Sequence, residues 1–160
     1  MRKADTIASI IGGVVLMGVL LPISQQLGAY LDDRSVSIFR KCPSPDGKFK
    51  VVVYDVLGNA TVGANTDVAL VESSETLEST ERGLPAWMDH SWKFFTADSD
   101  HGKAPCLQSG ACPPVKVTWL SGNEVKLTYP QGSRIFLQLR QGNLAGHPFT
   151  IEYSEEAKPN

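Results

Sequence analysis

The chain lacks any excess of positive charge: 15 Lys and Arg face 17 Asp and Glu, for a formal net charge of -2. Nucleic-acid binders present a basic face to phosphate, so that partner class is not expected. Cysteine is scarce at three residues, with no Cys-x-x-Cys and no histidine at zinc-finger spacing, which argues against a structural zinc site. Histidine is equally scarce at three, leaving few bases for a nucleophilic serine or cysteine. There is no Gly-x-Ser-x-Gly elbow and no phosphate loop with its lysine. No repeat of about forty residues is visible, so a β-propeller is excluded on length. No catalytic residue is nominated and no cofactor is expected.

One feature is abundant in a single place. Ile7 to Ile23 is an uncharged apolar run of about seventeen residues, preceded by Arg2, Lys3 and Asp5. A helix rises about 1.5 Å per residue, so the run extended through Leu31 can cover a hydrocarbon core about 30 Å thick. Every face of such a helix is apolar or small, with Gly12, Gly13 and Gly18 allowing close approach, unlike the single stripe of a helix in a soluble domain. A signal peptide is cut after small residues, and ending one at Ala29 places Leu27 at the third position. The expectation is an uncleaved signal-anchor over residues 1–34 that meets the membrane through residues 7–31. The basic flank precedes the helix, which places the carboxyl-terminal domain outside the cytoplasm.

From Ser35 onward the dominant period is two, the spacing of side chains on the two faces of a strand. Ser35 to Arg40 and Lys48 to Val56 read as strands, joined through the turn Ser44-Pro45-Asp46-Gly47. Asp67 to Glu72 and Trp92 to Ala97 follow, separated by a polar stretch with Glu75, Glu78 and Glu81 that is expected to be a solvated loop or short frayed helix. Val115 to Leu120 and Glu124 to Tyr129 form a hairpin about Ser121-Gly122-Asn123. Arg134 to Arg140 and Pro148 to Tyr153 complete four consecutive strands, expected as an antiparallel meander with turns at Gly142, Asn143 and Gly146. The expected fold is therefore mainly β, a small antiparallel sheet or sandwich-like meander over residues 35–153, preceded by one N-terminal transmembrane helix and followed by a polar tail over 154–160.

Candidate sites are few. Asp98, Asp100 and His101, with Asp89 and His90 upstream, could hold a divalent cation, although Asp-Ser-Asp-His-Gly is also ordinary turn chemistry. Cys106 and Cys112 close a short loop that could be a disulfide in an oxidising compartment, leaving Cys42 as a partly buried thiol or an intermolecular bridge. Trp87, Met88, Trp92, Phe94 and Phe95 crowd one stretch and form either core or a contact patch.

Several segments carry a resemblance. Ser44 to Val53 (SPDGKFKVVV), Ala60 to Leu70, Thr96 to Gly102 (TADSDHG) and Val115 to Leu120 (VKVTWL), with Ile135-Phe136 and Ile151-Glu152-Tyr153, resemble the motifs of an uncharacterised family of small bacterial membrane-anchored envelope proteins. Where members of that family often carry Cys and Gly ahead of the Ala-Thr pair, this chain has Gly58-Asn59. The resemblance implies a bacterial inner-membrane protein, single-pass, with its domain on the periplasmic or extracellular side. It assigns no activity, so the expected role is a binding or interaction module with an envelope protein, a toxin-like partner or a cell-wall component as its partner. A structural or stress-related component without a ligand is the alternative, and a metal-binding or enzymatic periplasmic domain the third.

Overall fold

A computed structural model describes residues 34–58, 64–99 and 114–157. The anchor expected over residues 1–34 therefore lies outside the described residues but for Arg34, as does the end of the polar tail. Among the described residues no helix is long and apolar enough to cross a membrane.

The fold is mainly β, in two sheets. The strands are β1 (Ser35–Pro43), β2 (Phe49–Leu57), β3 (Asn65–Glu72), β4 (Trp92–Asp98), β5 (Lys116–Ser121), β6 (Glu124–Pro130), β7 (Ile135–Gln138), β8 (Gln141–Leu144) and β9 (His147–Glu156). The larger sheet has the order β1-β2-β3-β4-β7 and the smaller β5-β6-β9-β8. Alternation explains how they meet. Phe49, Val51 and Val53 of β2 share a buried cluster with Val125, Leu127 and Tyr129 of β6 and with Phe149 and Ile151 of β9. The inner faces of the two sheets thus close on one another as a sandwich, with β2, β6 and β9 giving every second side chain to the core. Two polar tips pin the layers together: the Trp119 indole N–H donates to the Cys42 carbonyl at 3.0 Å, and the Tyr153 hydroxyl donates to the Phe94 carbonyl at 3.0 Å.

β2 and β3 are buried on both faces because a second cluster covers the outer face of the larger sheet: Val36, Val52, Tyr54, Ala69, Val71 and Trp87. Its cover is the polar stretch after β3, which is neither a helix nor a freely solvated loop. Residues 73–91 form an irregular strap that ends in a 3₁₀ turn at Ala86–His90. Thr80 pairs antiparallel with Val36, the two exchanging N–H···O bonds of 2.9 Å. Lys50 Nζ donates to the Ser73 and Glu75 carbonyls, and the Trp87 indole N–H donates to the Glu78 carbonyl. The glutamates kept this stretch from reading as structure, yet the strap is held through its backbone, with Leu77, Trp87 and Met88 supplying apolar contacts.

The expected meander is corrected in two ways. β6 and β9 run parallel, with Val125 opposite Ile151 and Leu127 opposite Tyr153. β7 does not stay with β6; it joins the larger sheet beside β4, and residues 141–144, expected as turn, form the strand β8. The cause lies at the end of β6. The β6–β9 ladder ends with the bond from the Gln131 N–H to the Glu156 carbonyl, and the turn through Gly132 (φ 86°) then sends the chain to the open edge of β4. There the Asp98 N–H meets the Arg134 carbonyl and the Leu139 N–H meets the Phe94 carbonyl. The chain then returns to the smaller sheet, and β8 and β9 form a hairpin through Ala145 and Gly146, both at positive φ.

Candidate functional site

The aromatic stretch is core. A bulge between β3 and β4 sets Val68 opposite Phe95 and Ala69 opposite Lys93, leaving Phe94 as the extra residue. Strict alternation would put Phe94 and Phe95 on opposite faces, whereas the bulge turns both into the sandwich interior, each 0% exposed. Trp87 is 2% exposed and sits edge-on to Tyr54 with ring centroids 5.0 Å apart. These three side chains belong to the core, one of the two alternatives the sequence left open; Trp92 is half-buried, its ring lying over Gly142.

The acidic and histidine residues separate. Asp98 ends β4 at 4% exposure, its Oδ2 3.3 Å from Arg134 Nη1. Asp89 and His90 are exposed in the 3₁₀ turn before the other end of β4, so the length of the strand, about 20 Å, stands between them and Asp98. Asp100 and His101 lie outside the described residues, as do Cys106 and Cys112. Among the described residues no group of three or more His, Cys, Asp or Glu is placed to hold a metal ion. Cys42 is a half-buried free thiol, pushed up from its ordinary pKa by burial.

Sequence reading missed two arrangements. The first is a polar cluster under the strap. Tyr54 and Asp67 are direct neighbours on β2 and β3, and Thr96 is opposite Asp67 on β4. The Thr96 hydroxyl donates to Asp67 Oδ1 at 2.6 Å, and Lys93 Nζ donates to Oδ2 at 3.2 Å. Burial raises the Asp67 pKa against the opposing effects of Thr96 and Lys93. The Tyr54 hydroxyl is buried without a hydrogen-bond partner. An unmet buried hydroxyl costs about 1–3 kcal/mol, so Tyr54→Phe should keep the fold and raise its stability by about 1 kcal/mol, read as a higher urea midpoint. A lower midpoint would show that the hydroxyl has a favourable partner.

Asp67 also fixes the sign of a pH effect. Its folded pKa lies above the unfolded value near 3.8, so the protonated acid favours the fold. That contribution is full below the unfolded pKa and is lost as pH rises through the folded one. The difference in unfolding free energy between Asp67→Asn and the parent should therefore shift toward the variant as pH rises from about 4 to 7. Urea midpoints measured across that range check it, and a difference independent of pH would refute the assignment to Asp67.

The second arrangement is a cleft of about 240 Å³ where three turns meet. The β1–β2 turn contributes Asp46 and Lys48, the β5–β6 turn Gly122 and Asn123, and the start of β9 His147 and Pro148. Phe49 and Phe149 also line it, their rings edge-to-face at 4.9 Å, and His147 packs edge-on to Phe49 at 5.3 Å. Asp46 is held in place: the buried Ser44 hydroxyl donates to Oδ1 at 2.6 Å and the Lys48 backbone N–H at 3.2 Å. Those bonds keep its carboxyl below the usual carboxylate range, chiefly through Ser44. Oδ2 stands 3.9 Å from Lys48 Nζ. Sequence indicated turn residues at all three places, Gly146 among them, but their convergence depends on the parallel placement of β9, which local pattern does not encode.

Comparison with protein-family models, curated proteins and solved structures finds no match for this chain.

Proposed function

We propose that the chain is a membrane-tethered binding module of the bacterial envelope, held in the inner membrane by an uncleaved single-pass anchor at residues 7–31, with its β domain on the periplasmic or extracellular side. The apolar run, the basic residues before it and the motif resemblance support that placement. The observation that carries the binding role is the cleft at the turns. β1 begins beside Arg34 and ends at Pro43, just before the Ser44-Pro45-Asp46-Gly47 turn, so the cleft stands at the opposite end of the larger sheet from the point where the chain enters it. Polar groups brought together from three separate turns and left accessible at one end of a sandwich are how many β domains present a recognition surface.

The test is crosslinking in intact cells with a photoreactive residue at Lys48, alongside the intact mass of the purified chain. A defined adduct formed from Lys48 and not from Thr118 on the smaller sheet supports the reading. A mass lacking the first thirty or so residues overturns the anchor, and equal labelling from both positions overturns the cleft as the recognition surface.

A further inference from the structure

The cleft has chemistry that narrows its ligand. It is smaller than the roughly 300 Å³ at which drug-sized pockets begin, so it suits a single small ring rather than an extended peptide. Its charges oppose one another: one carboxylate, Asp46, and one ammonium, Lys48, joined by the neutral amide of Asn123. A phosphate group would meet the Asp46 carboxylate, and a divalent cation would find only that one carboxylate among the lining residues. A hydroxyl group fits such a set, because it can donate to Asp46 and accept from Lys48 or the Asn123 amide at once. Beside these groups His147 and Pro148 offer exposed ring surfaces, the apolar counterpart that the C–H face of a sugar requires.

Gly122 keeps the approach open. A Cβ there would stand 3.6 Å from Asp46 Oδ2, so any longer side chain would lie over that oxygen. Oδ1 is already occupied by Ser44 and the Lys48 N–H, which leaves Oδ2 as the oxygen available to a ligand and fixes its direction in advance.

We infer that the cleft bounded by Asp46, Lys48, Gly122, Asn123, His147 and Pro148 binds one ring of a neutral, hydroxyl-rich carbohydrate. The inference rests on the reading of the cleft as the recognition surface and adds the ligand class. Asp46 Oδ2 accepts from a ring hydroxyl, Lys48 and Asn123 donate to a neighbouring oxygen, and the sugar's C–H face lies against His147 and Pro148.

The experiment is calorimetric titration of the full chain, purified in a detergent without a sugar headgroup, with the trisaccharide of N-acetylglucosamine and separately with inorganic phosphate. A saturable heat with the trisaccharide and none with phosphate is the expected result. Asp46→Asn retains Oδ1 as the turn acceptor and removes the charge, and it should weaken binding about tenfold. Gly122→Leu should abolish binding with an unchanged melting temperature; if it fails to fold, Asn123→Ala replaces it, with binding weakened about fivefold. Absence of saturable heat, preference for phosphate, or equal binding by the parent and the variants overturns the inference. If no sugar binds while Lys48 still crosslinks to a defined protein, the ligand class falls and the recognition surface stands. If both fail, the reading beneath it falls too.

Discussion

Replacing Gly142 with alanine should destabilise the domain by about 3 kcal/mol, lowering its melting temperature by roughly 10 °C. The reason is the Trp92 ring. A Cβ at residue 142 would fall within the van der Waals envelope of the indole, against Cζ2 and Cε2, and the ring is a rigid body with no far end to swing aside. β8 runs beneath the start of β4 only because residue 142 has no side chain. The indole in turn packs at 5.5 Å from Phe94 in the main core, so moving it disturbs the interior as well as the surface. Trp92→Ala should cost about 2 kcal/mol by itself, as a half-buried aromatic. In the double variant the new methyl occupies space the ring has vacated, so the two costs should not add. A coupling of about 1.5 kcal/mol or more in urea unfolding is expected, and strict additivity would show that the ring does not cover the glycine.

Trp87→Ala should have the second large effect, about 3–5 kcal/mol. Trp87 joins the strap to the outer face of the larger sheet through its ring, which packs against Tyr54, and it ties the strap to itself through its indole N–H on the Glu78 carbonyl. Without it Val52, Tyr54, Ala69 and Val71 lose their main cover, and of the strap only Leu77 and Met88 remain packed against that cluster. Amide exchange separates this from a general loss of stability. At Val36 and Thr80, which bond across to one another, exchange should accelerate well beyond the change at Val125 and Leu127 in the smaller sheet. Uniform acceleration would mean that the strap opens only when the whole domain unfolds. Trp87→Phe, which keeps a ring and loses the N–H, should cost about 1 kcal/mol less than the alanine change.

Alternation carried most of the strands. Phe49, Val51 and Val53 against Lys48 and Lys50 announced β2, and Val125, Leu127 and Tyr129 announced β6, because a half-buried strand repeats every second residue. The Ser44-Pro45-Asp46-Gly47 reversal was equally legible: Gly47 has φ 70° and its N–H bonds to the Ser44 carbonyl. What local pattern could not give was pairing between distant strands. Nothing in Phe149 to Tyr153 says that the chain should lie parallel to β6, and Ile135 to Gln138 reads the same in either sheet. The strap was hidden for another reason: its ties are backbone carbonyls, which every residue possesses and no sequence displays. Of the candidate site, Asp46 was visible only as a turn former and His147 only as one of three scarce histidines. Their meeting is a product of topology.

The excursion of β7 from one sheet to the other affects how the domain comes apart. In chain order β7 falls between β6 and β8, yet it closes the edge of β4 while both sequence neighbours belong to the opposite layer. No single backbone cut therefore separates the two layers without leaving a strand behind. Unfolding should accordingly be a single event in which both layers are lost together, and refolding should be slow for a domain of this size, since the pairings that define it join residues far apart along the chain.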